Sequence, residues 1–278
     1  MSTVTISAQD INKLRQATGA GMMDCRKALT ETNGDFEAAI DWLRKQGQKV
    51  AAKRSDREAK EGVVIAQTSA DKKTGFVVCI SCETDFVSKN AEFVAFAKSI
   101  ADAAVANNVK SVEELNEVTV NGAKVADLIN DKLAAIGEKI GISRFERIEA
   151  PYVASYIHGA NRMGVLVGLS KDAEEAGKDV AMQIAAMNPV AVDAASVPAE
   201  VVAREKDIIV ELMKQDPKMA GKPDEMISKI AEGKMNAFFK EQTLLAQAFV
   251  KDGSKSVGEF LKSAGDVTVT EFKRVALG

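Results

Sequence analysis

The sequence predicts an α+β fold: an N-terminal three-helix domain, two related α+β subdomains and a helical hairpin. Three observations predict this architecture. Apolar residues recur at helical spacing in the first fifty residues and again between residues 197 and 241. Between these regions, the apolar runs at residues 75–81 and 164–170 resemble each other, and each precedes a helix-like stretch that ends in an asparagine.

The first fifty residues predict three short helices. Ser7 and Asp10 have the spacing of a capping box, which marks the start of the first helix. The second helix is expected after the glycines of residues 19–21. The third is expected to run from a cap at Asp35 to a stop at Gly47, since glycine commonly ends helices. A charged stretch follows Gly47, so we expect a domain boundary with few crossing contacts there.

Beyond this boundary, residues 63–67 and 76–82 read as two strands joined by a turn through residues 71–75. Asn90 is placed to cap the following helix, whose apolar positions recur at helical spacing. A further helical region is expected at about residues 122–136. The later run at residues 164–170 then begins a similar arrangement, which predicts two related subdomains.

The connection between the second strand and its helix places Phe86 beside Asp85. Such connections lie at the surface and present side chains to partners. The alternative is that Phe86 folds back onto the core. The second copy has no counterpart of residues 84–87, which is hard to explain if this connection served only the fold.

Residues 198–241 predict two helices joined by a turn through residues 216–223, which contain two prolines and a glycine. The apolar stripes expected to face each other are formed by Val201, Ile208, Leu212, Met226, Ile230 and Phe238. After the hairpin, Ser256 with Glu259 predicts a capped final helix, followed by a strand at residues 267–275.

These patterns predict the following division of the chain: a three-helix domain at 1–50, a linker at 51–61, a first core subdomain at 62–140, a second core subdomain formed by 141–196 and 242–278, and the helical hairpin at 197–241.

The 278 residues have a formal net charge of −3, which gives no electrostatic reason to expect nucleic-acid binding. The first residues show no signal-peptide pattern, and no apolar run approaches the roughly 20 residues of a membrane-spanning helix. Three cysteines argue against a disulfide framework. We therefore expect a cytoplasmic protein that binds neither membrane nor nucleic acid directly.

No catalytic constellation is found in the sequence. The single histidine, His158, excludes a multi-histidine metal site. Cys79 and Cys82 form a C-x-x-C spacing, but they lie in a predicted strand, where a separation of three residues places the two thiols on opposite faces. No glycine-rich loop ends in Gly-Lys-Ser/Thr, so we expect no bound nucleotide. The sequence predicts neither an enzyme nor a cofactor or metal site.

Residues 84–89, Thr-Asp-Phe-Val-Ser-Lys, resemble the second signature of the bacterial elongation factor Ts family. Residues 14–15 and 18–29 resemble the first signature, and residues 155–159 with Arg162 and residues 164–167 also resemble the family. The resemblance therefore extends along nearly the whole chain. It implies a guanine-nucleotide exchange factor that binds the translational GTPase elongation factor Tu and promotes release of its GDP.

The resemblance also implies which residues contact the partner. Thr84, Asp85, Phe86 and Val87 would form the loop that enters near the nucleotide and magnesium site of elongation factor Tu. Met22 and Met23 would contact its GTP-binding domain, although adjacent residues on a helix can place at most one side chain inward. Further contacts with the partner are expected from Ile136, His158 and Val250. The family has a protruding antiparallel helical hairpin at this place, which the resemblance implies for residues 197–241. Whether residues 197–241 form a homodimer is left open.

Two other functions are considered beside this one. A thiol oxidoreductase would use Cys79 and Cys82. A helical adaptor would use the N-terminal domain alone, because residues 28–43 resemble the ubiquitin-associated fold, a three-helix interaction module.

Overall fold

A computed structural model of the chain describes residues 5–54, 56–216 and 222–278. The helices of this part are α1 (Ala8–Thr18), α2 (Met22–Glu31), α3 (Phe36–Lys53), α4 (Asp85–Ser88), α5 (Ala91–Ala106), α6 (Val112–Glu117), α7 (Val125–Ile136), α8 (Glu174–Met187), α9 (Ala199–Gln215), α10 (Asp224–Gln242) and α11 (Val257–Ser263). The strands are β1 (Glu61–Thr68), β2 (Thr74–Cys82), β3 (Thr119–Val120), β4 (Ala123–Lys124), β5 (Gly141–Glu149), β6 (Tyr152–His158), β7 (Met163–Leu169), β8 (Ala248–Phe249), β9 (Asp252–Ser256) and β10 (Val269–Ala276). This mixture of helices and antiparallel sheets confirms the predicted α+β class.

Helices α1, α2 and α3 pack around a small core of their own, as predicted. The predicted capping box begins α1: the Asp10 N–H donates to the Ser7 hydroxyl at 3.1 Å, and the Ser7 N–H donates to the Asp10 carboxylate at 3.1 Å. The buried residues of this core are Leu14, Ala20, Cys25, Ala28, Leu29, Ala39 and Leu43. These few side chains hold the three helices together.

The predicted helix stop at Gly47 is wrong, because α3 continues to Lys53. Gly47 instead lies where α3 packs along α7: a Cβ atom at Gly47 would come within 2.7 Å of the Ala134 Cβ. The glycine therefore permits close approach of two helices and does not end one. As a consequence, contacts cross the position at which we expected few, because α3 packs against α7 of the core.

Two three-stranded antiparallel sheets form the core, and they repeat one topology. In the first, the strand order is β1-β2-β5; in the second, the central strand β7 lies between β6 and β10. In each sheet a hairpin is followed by a helix, α5 or α8, and the third strand then pairs with the second strand of the hairpin. The helices end at Asn107 and Asn188. The predicted relation between the two subdomains is thus confirmed.

The two sheets stack face to face, and helices cover their outer faces. Between them lies a shared apolar core that contains Val64, Val77, Val153 and Leu166. The glycines that begin the two similar runs both face this interface. A Cβ at Gly75 would come within 2.6 Å of Val153, and one at Gly164 would come within 2.9 Å of Val64. Because β2 and β7 are buried on both faces, both read as continuous apolar runs.

The sheet order differs from the predicted division in one respect. The second subdomain was expected to begin at residue 141, but β5, which begins at Gly141, pairs with β2 in the first sheet. The strand that completes the first sheet thus follows α7, just as β10 completes the second sheet after the helical hairpin. The remaining domain boundaries stay predictions.

Helices α9 and α10 form the predicted hairpin and pack mainly against each other. Their buried contacts come from Ile209, Met213, Ala231 and Met235. Part of the predicted stripe is wrong, because Ile208, Leu212 and Met226 are exposed. The predicted turn at residues 216–223 lies largely outside the described residues, and dimerisation through the hairpin stays a prediction.

The C-terminal part follows the prediction. The Ser256–Glu259 capping box begins α11, and β10 corresponds to the predicted strand at residues 267–275 within two residues. Within the described ranges, none of the helices has both the length and the apolar character that crossing a lipid bilayer requires.

Candidate partner-binding site

Phe86 lies on the single turn of helix α4, between β2 and α5, and this residue is 86% exposed. The alternative in which Phe86 folds back onto the core is therefore wrong. We call residues 83–89 the Phe86 segment. Asn90 follows it and caps α5, accepting hydrogen bonds from the main-chain N–H groups of Glu92 and Phe93 at 2.8 and 3.2 Å. The segment thus ends at a firmly capped helix.

The neighbours of Phe86 are held individually. The Asp85 carboxylate pairs with the Lys89 ammonium at 2.7 Å, and this contact lowers the pKa of Asp85. Val87 turns inward and packs against the core of the first subdomain. The Thr84 hydroxyl donates to the Glu138 carboxylate at 2.6 Å and does not cap α4. Asp85 therefore stays charged beside the exposed ring.

Two carboxylates fix the start of the Phe86 segment. Glu138 Oε2 accepts hydrogen bonds from the main-chain N–H groups of both Glu83 and Thr84 at 3.0 Å. Glu83 in turn accepts hydrogen bonds from the Lys139 N–H at 2.6 Å, from Arg54 at 2.9 Å and from Arg57 at 3.0 Å. The Lys139 N–H bond and the two guanidinium groups lower the pKa of Glu83 to about 2.

Met22 and Met23 are the first residues of α2, directly after its N-cap Gly21. Both are exposed, at 56% and 72%. The residues that α2 buries are Cys25, Ala28 and Leu29. We expected that one of the two methionines could serve the core, but neither does, because the buried face of α2 begins one turn later.

A groove of about 320 Å³ lies beside Phe86 and connects the N-terminal helices with the core. Its lining includes Phe86 and Val87, Ile136 at the end of α7, and Gly19 at the end of α1. Ile136 is partly exposed there. The structure thus brings Phe86, Val87 and Ile136 together, beside the helix end that leads to Met22.

His158 and Val250 belong to the second subdomain and do not line this groove. His158 ends β6, is exposed, and has its Nδ1 atom 3.0 Å from the Tyr156 hydroxyl oxygen. Val250 is exposed in the turn between β8 and β9, and its N–H donates to Gln183 Oε1 at 2.8 Å. Both side chains are accessible to a partner at positions separate from the groove.

The two cysteines of the C-x-x-C spacing are buried on opposite faces of β2. Cys79 belongs to the core between the two sheets, and Cys82 belongs to the core covered by α5. Burial raises the pKa of both thiols, to about 12 for Cys82, where the Glu138 carboxylate adds to the effect. Low-pKa exposed thiolates are required for disulfide exchange, so this arrangement argues against redox chemistry.

In the part of the chain that the structure describes, no group of three or more His, Cys, Asp or Glu side chains could hold a metal ion.

Two residues that support these exposed positions, Glu138 and Gln183, were not predicted from the sequence. Glu138 follows Gly137, the left-handed cap of α7, and is about 55 residues distant in sequence from the segment it holds. Gln183 is fully buried in α8. Its Nε2 donates to Gln247 Oε1 and to the Ala248 main-chain oxygen, and its Oε1 accepts from the Val250 N–H, which supports the turn between β8 and β9. A glutamine among the apolar residues of α8 was a signal for a buried polar contact. No local signal marked Glu138.

Similarity to known proteins identifies the family of this chain. A family model described as Elongation factor TS matches residues 83–278. A protein of Christiangramia forsetii named elongation factor Ts is 48% identical over 277 residues, which cover 98% of this chain and 99% of that protein. Proteins of the same name from Flavobacterium psychrophilum and Methylococcus capsulatus are 47% and 44% identical; each alignment covers 99% of this chain, with 99% and 93% of the respective relative. The chain therefore belongs to the elongation factor Ts family of translation elongation factors.

Proposed function

We propose that this chain binds elongation factor Tu loaded with GDP and promotes GDP release by inserting Asp85 and Phe86 near the nucleotide and magnesium site of that partner. The observation that carries the proposal is the 86% exposure of Phe86 on a segment whose start is held by charged hydrogen bonds. An aromatic side chain gains the most from burial of any residue type, so its exposure on an ordered segment favours a partner that covers it.

Asp85 adds an electrostatic element to the insertion. Its pKa, lowered by the Lys89 ammonium, lies well below neutral pH, so Asp85 is negatively charged there. A carboxylate brought close to a bound phosphate group raises the free energy of the nucleotide-bound state, because like charges repel strongly where water is excluded. Phe86 would supply apolar contact with the partner, and Asp85 would oppose the phosphates. Together they would favour the nucleotide-free partner.

The exposed residues outside the Phe86 segment support a wider contact. Met22 and Met23 would contact the GTP-binding domain of the partner, and Ile136 would extend the surface around the groove. His158 and Val250 would contact the partner from the second subdomain. Thr84 and Val87 hold the segment in place while Phe86 engages.

This function needs no reaction on the chain itself. An exchange factor acts by binding the nucleotide-free GTPase more tightly than the loaded one. The coupling is reciprocal, so the factor weakens nucleotide binding by the same ratio as the nucleotide weakens binding of the factor. The absence of a phosphate-binding loop from the sequence agrees with such a role.

Calorimetric titration tests the proposal. The chain is titrated into elongation factor Tu in its nucleotide-free form and, separately, into the same protein saturated with GDP. We expect much tighter binding to the nucleotide-free form and no heat of binding when GDP is titrated into the chain alone. Equal affinity for the two forms of elongation factor Tu would contradict an exchange function.

A further inference from the structure

The start of the Phe86 segment is held by two carboxylates in a reciprocal arrangement. The Glu138 side chain binds the main-chain N–H groups of Glu83 and Thr84, while the Glu83 side chain binds the main-chain N–H of Lys139. Each glutamate thus holds the main chain next to the other. We call this arrangement the carboxylate brace, formed by Glu83 and Glu138.

Glu138 is itself firmly placed. It directly follows Gly137, whose left-handed conformation, with φ of 78°, ends α7. Both of its carboxylate oxygens accept hydrogen bonds from the segment. Oε2 accepts from the main-chain N–H groups of Glu83 and Thr84 at 3.0 Å, and Oε1 accepts from the Thr84 hydroxyl at 2.6 Å. Hydrogen bonds to an ionised carboxylate are about twice as strong as neutral ones. The main chain immediately before Asp85 therefore has one favoured conformation.

The brace extends to the segment that follows the N-terminal helices. Arg54 and Arg57 both donate to Glu83, which has only 16% of its side chain exposed. The Lys139 ammonium donates to the main-chain oxygen of Arg57 at 2.9 Å. The chain that leaves α3 is thereby tied to the residues that carry Asp85 and Phe86.

Phe86 has no comparable attachment, since its ring is largely exposed. A segment that inserts into a partner loses conformational freedom on binding, and this loss is smaller when the segment is already ordered. We propose that Glu138 is a positioning residue for nucleotide release: through the carboxylate brace it presents Asp85 and Phe86 to the partner in one orientation. This inference rests on the proposed function and names a residue on which that function depends.

The test compares four variants with the parent chain in stimulated GDP release from elongation factor Tu. They are Glu138→Ala, Glu138→Gln, Phe86→Ala and the double variant that combines Glu138→Ala with Phe86→Ala. The rate is measured against factor concentration, so that its plateau and the half-saturating concentration are obtained separately. Glu117→Gln is the matched control, because Glu117 is a surface carboxylate paired with Lys124 and distant in sequence from the brace. Hydrogen exchange of the amides of residues 83–88 is measured on the free chains.

We expect Glu138→Ala to lower the plateau rate about tenfold or more, since fixing the backbone of even one freed residue carries an entropy cost that corresponds to roughly a factor of ten. Glu138→Gln should retain most of the rate, because its amide oxygen can still accept both N–H groups. In the Phe86→Ala background, Glu138→Ala should change the rate less than about twofold, since residues that act as one unit are not additive. The amides of residues 83–88 should exchange faster in Glu138→Ala, while those of the sheets stay protected.

A parent-like plateau for Glu138→Ala, or an equally large loss in the Phe86→Ala background, would overturn the inference. If Phe86→Ala stimulates GDP release from elongation factor Tu as fast as the parent chain does, the proposed insertion of Phe86 fails. Unchanged hydrogen exchange of residues 83–88 in Glu138→Ala would reject the brace independently of that result. Should Glu138→Ala unfold, Thr84→Val removes only the hydroxyl bond and is expected to lower the plateau, with Thr84→Ser restoring it; a parent-like Thr84→Val would count against the inference.

Discussion

Replacing Phe86 with alanine removes a side chain that the folded chain scarcely uses. A Phe side chain buries about 150–250 Å² when it is fully covered, and 86% of this one is exposed in the free chain. Covering it by a partner would remove roughly 170 Å² from water, an upper value of about 4 kcal/mol at about 25 cal/mol per Å². Truncation of an aromatic anchor at an interface weakens the free energy of binding by about 2–4 kcal/mol, which agrees with this upper value.

The expected result follows from where this free energy acts. If Phe86 contacts the partner mainly as the nucleotide leaves, Phe86→Ala lowers stimulated GDP release at saturating factor by about 30-fold or more, since about 1.4 kcal/mol corresponds to a factor of ten. The free energy of unfolding should change by less than about 0.5 kcal/mol, as for other exposed positions. Asp85→Ala should act in the same direction but more weakly.

Stopped-flow fluorescence of a labelled GDP, with factor concentration varied to saturation, measures the release rate, and chemical denaturation measures stability. Met187→Ala is the matched control, because Met187 is also an exposed apolar side chain at a helix end. A Phe86→Ala chain that stimulates GDP release from elongation factor Tu at the parent's plateau rate would refute the argument, even if its half-saturating concentration increased. In that case the Phe86 segment would serve docking alone.

Three further predictions concern the fold and its charges. Gly47→Ala should destabilise the chain by about 1–3 kcal/mol in thermal unfolding, because its Cβ would collide with Ala134. Gly233→Ala, with open space around it, should stabilise the chain by about 0.5–1 kcal/mol. Stabilisation by both substitutions would mean that α3 does not pack on α7. The folded pKa of Glu83, about 2, lies below its usual 4.5, so its contribution to stability is complete above about pH 4.5 and is lost as the pH falls towards 2. The difference in unfolding free energy between the parent and Glu83→Gln should therefore shrink over that range. A constant difference would reject the lowered pKa of Glu83. Gln183→Met should cost about 2 kcal/mol or more in denaturant unfolding because it leaves buried hydrogen-bonding groups unsatisfied, and an unchanged midpoint would contradict this.

The elements that could be predicted from the sequence are those with local signals. The capping boxes at Ser7 and Ser256 and the cap at Asn90 have short, specific patterns, and each begins a helix in the structure. The repeat of the two sheets was visible because both central strands are buried on two faces and begin with a glycine at the sheet interface. In each case a short stretch of the sequence carries the signal.

The predictions that failed depend on contacts between distant residues. Gly47 has the usual appearance of a helix end, and only Ala134 of α7 explains why it is a packing position. In α9, apolar residues occur in adjacent pairs such as Ile208 with Ile209, so periodicity alone could not decide which one faces α10. The strand order that places β5 in the first sheet is likewise a tertiary property.

The candidate site shows the same division. The exposure of Phe86 was expected from its place after a strand and from its absence in the second subdomain. Its support was not, because Glu138 is joined to Glu83 and Thr84 only through the fold. The orientation of the Phe86 segment is therefore set by tertiary hydrogen bonds, whereas the side chains proposed to contact the partner are visible in the sequence as residues 84–87.

The measurement that tests the central claim most directly is the rate of GDP dissociation from elongation factor Tu as this chain is added. The account predicts that the rate rises with the concentration of the chain and reaches a plateau far above the spontaneous rate, with excess unlabelled GDP present to prevent rebinding. A dissociation rate that stays at its spontaneous value across the whole titration, with the chain folded and the partner active, would contradict it.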